Sequence, residues 1–336
     1  MSAISPGAPA FILLFFLLLA FPGQAIQGAS DGLLLWFHTV LPTLAPAMIC
    51  TRLILLSGGD HLLMKPVRPL FQKLFSLSET GSFILLSGML CGYPLGAALC
   101  SQARRDGRIS TREAVYLLAF CSFPSPMFLA GYIPGQFPGR FPLPLLFLSV
   151  YAPVLILSWL ARHNSHPDIS RESGQPKAVQ TIQAFQIQEH VRSAPEDSLN
   201  GILYEVCDVM VLIGSYLMLF SVLARFLSSA TWIPQPVTAV LCAVFEMTTG
   251  IRQICLTFPP ALCLPACAAC AAFGGISGIF QTHSVIAYDS LFSQGRKNAG
   301  FDIRHYVGWK LLHAGLSALI LTVLQLLLPL RSPLRL

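Results

Sequence analysis

The stretch Cys91-Gly92-Tyr93-Pro94-Leu95-Gly96 interrupts an apolar run of membrane length that extends from Gly81 to Cys100. A second run, from Val237 to Cys255, is interrupted in the same manner by Glu246-Met247-Thr248-Thr249-Gly250. Small and turn-forming residues favour a change of chain direction. We therefore predict two re-entrant helical hairpins, at residues 81–100 and 237–256, which enter and leave the membrane on one side.

Each predicted hairpin is followed by a second interrupted helix. The interruptions are Phe120-Cys121-Ser122-Phe123-Pro124-Ser125-Pro126 and Phe273-Gly274-Gly275-Ile276-Ser277-Gly278, and we predict broken helices over residues 113–134 and 262–288. Backbone polar groups freed inside a bilayer need partners, so such breaks are tolerated where they line a cavity. A matched pair of breaks in two halves of a chain indicates a transporter binding site.

The composition excludes a soluble globular protein. The chain has 336 residues, of which 54% are hydrophobic and 11% are charged, whereas soluble domains carry about 25% charged residues. Several apolar runs, with their flanks, are long enough to cross about 30 Å of hydrocarbon: Phe11 to Phe21, Leu143 to Leu160, Val209 to Leu223 and Leu311 to Leu330. These features predict an all-α polytopic membrane protein with about seven spanning helices.

The cysteines and known motifs give little reason to expect a metal or cofactor. Most of the ten cysteines lie inside apolar runs, where they can pack as small residues. Cys263, Cys267 and Cys270 share a helical face, but no adjacent histidine completes a typical metal site. Walker, HExxH and dinucleotide motifs are absent. We expect no enzyme activity, no metal and no cofactor, with Na⁺ or H⁺ as candidate coupling ions.

The basic residues predict the topology, because cytoplasmic loops hold an excess of Lys and Arg. If both hairpins are re-entrant, 14 of the 21 Lys and Arg residues fall on the cytoplasmic side, in four blocks. The blocks are Lys65, Arg68, Lys73; Arg104, Arg105, Arg108, Arg112; Arg162, Arg171, Lys177, Arg192; and Arg296, Lys297, Arg304. The hairpins then open to opposite sides, which predicts inverted repeats. The net charge of +6 is explained without a nucleic-acid partner.

These assignments divide the chain into four parts. Residues 1–32 are predicted to form an N-terminal transmembrane helix, and residues 33–161 form repeat 1, with an amphipathic surface helix at 60–77. Residues 162–199 are polar and are predicted to be a cytoplasmic linker. Residues 200–336 form repeat 2. The expected partners are the lipid bilayer and a small-molecule substrate, and a homo-oligomer is left open.

The sequence resembles the YlbJ/SpoVV family of sporulation integral membrane proteins, within the wider Gate, or nucleoside-recognition, group. The resemblance covers nearly the whole chain beyond the first helix and follows the order of its motifs. These are Leu41-Pro42-Thr43-Leu44-Ala45-Pro46, Gly81-Ser82-Phe83, Gly92 to Ala97, Phe120 to Phe128, Ile213-Gly214-Ser215-Tyr216, Phe245 to Gly250, Gly274-Gly275-Ile276-Ser277 and Gln281.

The resemblance implies a carrier related in architecture to concentrative nucleoside transporters. It also implies movement of dipicolinate across the outer forespore membrane of an endospore former, and hence a location in a bacterial cell membrane.

Two charged residues stand out near the second hairpin tip. Glu246 lies in an apolar run, where an acid costs roughly 2.5–3.5 kcal/mol on insertion scales and is a functional candidate. A structural partnership with a nearby Arg or with a backbone amide is the alternative. Arg252 could bind a carboxylate or extend to the interface. The full set of candidate substrate-binding residues is Gly92, Tyr93, Gly96, Ser122, Ser125, Glu246, Thr248, Thr249, Arg252, Gly275, Ser277 and Gln281.

Four functions are weighed against one another. The leading hypothesis is a secondary transporter of a small, aromatic, anionic metabolite, with alternating access around the two tips. A nucleoside or heterocycle carrier would use Glu246 and Gln281 and leave Arg252 idle. A non-transporting sporulation scaffold gains nothing from broken helices. An intramembrane serine protease would use Ser277, in the pattern Gly275-Ile276-Ser277-Gly278, with His313 as base.

Overall fold

The fold is seen in a computed structural model that describes residues 8–137, 142–164, 199–292 and 303–328. Within these ranges every regular element is a helix. Predictions that fall elsewhere lie outside the described residues. They are nearly all of the linker at 162–199, its basic residues Arg171, Lys177 and Arg192, and the pair Arg296 and Lys297.

The N-terminal part forms a long, nearly continuous apolar helix. Helices α1 (Ala8–Ala20) and α2 (Pro22–Leu35) are followed by a π-helical turn (Trp36–Val40) and α3 (Leu41–Leu56). Pro42 lacks the N–H that would bond to the carbonyl of His38, and the N–H of Leu41 bonds to Trp36, five residues back. The spanning-length segment is therefore Pro22–Leu56, and the apolar part of α1, Phe11–Ala20, is shorter.

Two short helices precede the first hairpin, where one surface helix at 60–77 was predicted. They are α4 (Gly59–Met64) and α5 (Arg68–Phe75). Pro66 lies in the turn between them and cannot donate a helical hydrogen bond. Leu62, Leu63, Leu70 and Leu74 are exposed, and α5 lies at 91° to the next helix.

Hairpin 1 consists of α6 (Glu79–Cys91) and α7 (Leu95–Arg105), which meet at residues 92–94. Ser78 caps α6 by accepting a hydrogen bond from Gly81 N at 2.9 Å. At 13 and 11 residues, the arms are about 20 and 16 Å long at 1.5 Å per residue. Either arm alone is shorter than the hydrocarbon thickness of about 30 Å.

The broken helix of the first half is α8 (Thr111–Leu118) and α9 (Pro126–Gly131), with residues 119–125 outside both helices. A short 3₁₀ turn (Pro134–Gln136) follows. Helices α10 (Leu143–Tyr151) and α11 (Pro153–Asn164) then form one spanning segment with a break at Ala152.

The second half also contains a helix pair and an interrupted helix. Helix α12 (Leu199–Ser229) leads to hairpin 2, formed by α13 (Gln235–Phe245) and α14 (Met247–Thr257). The second broken helix is α15 (Pro260–Phe273) and α16 (Gly275–Phe292), and α17 (Ile303–Leu327) is the last described helix. The four interruptions predicted from the sequence therefore coincide with helix ends.

The described residues contain five helices that are long and apolar enough to cross a membrane, or up to six if the bent pair α5 and α6 is one span. The sequence predicted about seven. Large apolar side chains such as Phe11, Leu62, Trp159 and Leu326 are exposed, as expected for surfaces that contact lipid. The all-helical architecture and these spans fit a polytopic membrane protein.

Close helix packing places the N-terminal segment beside the second half. A Cβ atom added at Gly28 or Gly32 would lie 2.8 Å from the backbone of α12. Trp36 Nε1 donates a hydrogen bond to Met210 O at 2.9 Å. Small residues allow such close approach between membrane helices. This contact brings the π-helical turn to the region where the two hairpin tips meet.

Candidate functional site

A cavity of about 110 Å³ lies between the two hairpin tips. Its wall includes both tips, both breaks and the N-terminal segment, which contributes Thr39 from the π-helical turn and Thr43 from α3. Thr39 and Thr43 are exposed and form part of the rim. The volume is below the roughly 300 Å³ at the lower end of pockets for drug-sized ligands. In this conformation the cavity suits a small molecule.

Hairpin 1 packs closely against the break between α8 and α9. A Cβ atom at Gly96 would lie 2.0 Å from Cys121 O, and one at Gly88 would lie 2.4 Å from the same oxygen. Gly92 has φ +87° and would place a Cβ 2.8 Å from Ser125 N. Larger residues at these positions would collide with backbone, so glycine allows both arms and the tip to contact residues 121–125.

The tip of hairpin 2 is organised around the carboxylate of Glu246. Oε1 accepts from Thr248 N at 2.9 Å, and Oε2 accepts from Thr249 N at 2.7 Å and from the Thr248 hydroxyl. Glu246 is 2% exposed and is the N-cap of α14. The positive end of α14 therefore already holds an anion of the chain itself. A carboxylate has about four acceptor positions, so Oε1 keeps one for a ligand.

The break between α15 and α16 is the point where both tips converge. Gly274 has φ +80°, and its Cβ would lie 3.0 Å from Cζ of Tyr93 in hairpin 1. Gly275 has φ +71°, and its Cβ would lie 3.2 Å from Phe245 O and from Met247 N in hairpin 2. Adjacent glycines therefore contact opposite hairpins.

Tyr93 links hairpin 1 to two other elements. Its hydroxyl donates to the backbone oxygens of Ala272 at 2.8 Å and Ala271 at 3.1 Å, at the end of α15. Lys310 of α17 donates to the same hydroxyl oxygen at 2.5 Å and to Ser122 O at 3.1 Å. Lys310 is only 3% exposed. This lysine was absent from the residues proposed from the sequence.

The structure brings together some predicted site residues and separates others. Those that line the cavity are Gly92, Tyr93, Ser125, Glu246, Thr248, Ser277 and Gln281. Gly96, Ser122, Thr249 and Gly275 support the cavity wall through the contacts described above. Arg252 is exposed on α14 and is not part of the wall.

The two residues of the protease hypothesis have separate partners. Ser277 Oγ accepts a hydrogen bond from Gln281 Nε2 at 3.0 Å, one turn along α16. His313 Nε2 lies 2.8 Å from Val150 O in α10. The hydrogen bonds of Ser277 and His313 are therefore to other groups and not to each other.

A group of three thiols is the strongest metal-ligating cluster of the described residues. The Sγ atoms of Cys255, Cys263 and Cys267 lie within 4.8 Å of one another, and Cys255 and Cys267 are 3.6 Å apart. Thiolates favour soft ions such as Cu(I) and zinc. Closed structural zinc sites use four ligands, so this group lacks one. The sequence places Cys270 on one helical face with Cys263 and Cys267, whereas in the structure the third thiol of the cluster is that of Cys255.

The C-terminal end of α7, which lies opposite the tip of hairpin 1, is held in place by ion pairs and hydrogen bonds. Arg52 of α3 donates to Asp106 at 2.7 Å, with the arginine side chain 7% exposed. Glu205 of α12 accepts from Gln102 and from Arg105 at 3.3 and 3.2 Å. These contacts hold α7 against α3 and α12.

Comparison with known proteins yields one similarity at low identity. The chain is 24% identical over 225 residues to the sporulation integral membrane protein YlbJ of Bacillus subtilis (strain 168). The match covers 65% of this chain and 55% of YlbJ, so the chain spans about half the length of that curated relative. No protein-family model matches the chain. No solved structure matches it either.

Proposed function

We propose that this integral membrane protein is a secondary transporter of a small anionic metabolite, with alternating access around the two hairpin tips. The observation that carries the proposal is the cavity between the tips, which is lined by both hairpins and both helix breaks. Irregular backbone at membrane depth is tolerated where it lines a cavity. Hairpins and breaks in corresponding positions of two halves are typical of transporters built from inverted repeats.

The proposed substrate is dipicolinate. The similarity to a sporulation membrane protein and the family resemblance of the motifs support a role in spore formation, at the outer forespore membrane. Tyr93 borders the cavity and offers an aromatic face to a planar ring.

One observation favours a nucleoside or heterocycle carrier as the second candidate. Glu246 and Gln281 line the cavity, whereas Arg252 does not. A carboxylate and an amide suit the hydroxyl and amine groups of a neutral ligand. An anionic substrate needs a positively charged residue at the cavity. The choice between the candidates therefore depends on whether a basic residue other than Arg252 provides that charge.

Uptake by vesicles that contain the purified full-length chain tests the proposal. We expect accumulation of labelled dipicolinate that unlabelled dipicolinate inhibits, with uridine and succinate as weaker competitors. Ligands that bind the native state should also raise its melting temperature. Stronger competition and stabilisation by uridine would favour the second candidate. Absence of uptake of every one of these compounds would contradict both.

The proposed topology makes a separate prediction. In a variant without the native cysteines, Lys65→Cys and Thr111→Cys flank hairpin 1, and Thr231→Cys and Thr257→Cys flank hairpin 2. We expect a membrane-impermeant maleimide to label the first pair from the cytoplasmic side and the second pair from the other side, because each hairpin enters and leaves on one side. Labelling of the two ends of either hairpin from different sides would contradict the inverted-repeat arrangement.

A further inference from the structure

Four polar side chains form a stripe along one face of α17. Tyr306, Lys310, His313 and Ser317 are spaced by three or four residues, so they lie above one another on the helix. All four are buried. Ionisable residues inside membrane segments are costly and are functional candidates by default. Lys310 contacts Tyr93, a residue of the cavity wall, directly.

The surroundings of Lys310 match a neutral amine better than an ammonium group. An ammonium has three N–H donors, and a neutral amine has two. Lys310 Nζ donates to the Tyr93 hydroxyl oxygen and to Ser122 O, which satisfies a neutral amine. No carboxylate of the described residues lies within salt-bridge distance of Lys310. A protonated Lys310 would have the Tyr93 ring beside it, 4.4 Å from Nζ to the centroid. Among the described residues it would lack an acceptor for its third N–H and a counter-charge.

The other titratable groups around Lys310 and Tyr93 in the described part of the chain do not supply that charge. Tyr306 and His313 lie on its own helix, Tyr93 is on hairpin 1, Cys121 is in the break of the first half, and Tyr151 and Cys270 are on α10 and α15. Side chains of these types carry no negative charge in their ordinary forms at pH 7. An anion from outside the chain is the partner that would complete the site.

Tyr93 separates Lys310 from the cavity. The tyrosine lines the cavity wall, and the lysine lies behind it with Nζ 4.4 Å from the ring centroid. Withdrawal of the tip of hairpin 1 would remove the hydroxyl and leave Nζ facing the cavity. The carboxylate of Glu246 lines the same cavity from hairpin 2 and is held by three donors.

We propose that Lys310 is the anion- and proton-binding residue of this site. When Tyr93 withdraws, the amine takes a proton from water and the ammonium pairs with a carboxylate of the substrate. On the other side of the membrane the anion leaves, the proton returns to water, and the neutral amine rejoins Tyr93. The inference rests on the proposed transport function and makes it an anion–proton symport. Lys310 then provides the positive charge for the substrate that Arg252, outside the cavity wall, does not provide.

The test uses purified full-length protein in vesicles with labelled dipicolinate and an internal pH dye. In the unaltered protein we expect acid outside the vesicles to increase accumulation at least tenfold, with one proton entering per anion. Lys310→Gln should lose this pH-driven accumulation, and any residual uptake should not respond to the gradient. Lys310→Arg stays charged and should retain exchange of labelled for unlabelled dipicolinate while losing pH-driven accumulation. Lys73→Gln, which removes an exposed lysine, is the matched control and should behave like the unaltered protein.

The outcomes separate the two proposals. If the unaltered protein moves no dipicolinate, the transport function itself fails. If it transports dipicolinate without protons, or if Lys310→Gln keeps full pH-driven accumulation, the role of Lys310 is wrong and transport stands. Size-exclusion chromatography checks the folding of each variant, and should Lys310→Arg fail to fold, the Lys310→Gln result decides alone.

Discussion

Glu246→Gln is expected to reduce uptake at least tenfold and to weaken hairpin 2. The carboxylate accepts three hydrogen bonds, from Thr248 N, Thr249 N and the Thr248 hydroxyl. Glutamine keeps one oxygen and directs an NH₂ donor toward the remaining donors. Losing a buried hydrogen bond to a charged group costs about 1.5–3 kcal/mol, and about 1.4 kcal/mol corresponds to a factor of ten. Uptake in vesicles and thermal unfolding in detergent measure the two effects.

Glu246→Asp separates capping from ligand binding. Aspartate is among the favoured N-cap residues, so the hairpin should keep most of its stability. Its shorter side chain withdraws the carboxylate from the cavity, and uptake should still fall. Asp31→Asn, at an exposed position of α2, is the control for loss of a negative charge elsewhere. Normal uptake by Glu246→Gln would show that the acid serves only as a cap.

Gly96→Ala is expected to be the most destabilising methyl addition in hairpin 1. The added Cβ would lie 2.0 Å from Cys121 O and 3.3 Å from the Cα of Gly88. Both neighbours are backbone, so no side-chain rotation relieves the overlap. Overpacking costs about 1–3 kcal/mol and occasionally more, and we expect the upper end. The melting temperature in detergent should fall by at least about 5 °C.

Gly131→Ala is the matched control. Gly131 ends α9, and nothing lies within 4 Å of its added Cβ. Because alanine favours helix over glycine by up to about 1 kcal/mol, this variant should be as stable as the unaltered protein or slightly more so. Equal melting temperatures for Gly96→Ala and Gly131→Ala would contradict the close packing of hairpin 1 against residues 121–125.

The sequence predicted the hairpins because their turns carry strong local signals. Gly92 and Pro94 stop a helix by backbone conformation and by loss of a donor, and Glu246 stands out in an apolar run. The local pattern did not reveal that the Glu246 side chain folds back onto α14. That contact depends on the direction of α14 relative to the tip, which the composition of the run does not specify.

Lys310 was missed because it lies one residue before the apolar run, which begins at Leu311. The helix begins at Ile303, and its first turns carry Arg304, His305 and Lys310, which lower the local hydropathy. The spacing of Tyr306, Lys310, His313 and Ser317 was the available signal, since polar residues three and four apart share one helix face.

Arg252 was a candidate because it lies six residues after Glu246 in the sequence. In the structure, only the first turn of α14 borders the cavity, through Met247 and Thr248. Arg252 lies more than a turn farther along the helix and is exposed. Distance along the sequence does not specify which residues of a helix border a cavity.

The adjacent glycines at the second break have a consequence for leakage in a carrier. Gly274 supports Tyr93 of one hairpin, and Gly275 supports residues 245–247 of the other. Displacement of one hairpin breaks one of these contacts and leaves the neighbouring residue in place to anchor the opposite hairpin. For the proposed carrier, displacement of both hairpins at once would remove both contacts of the break, so the arrangement of these two glycines disfavours a continuous pore.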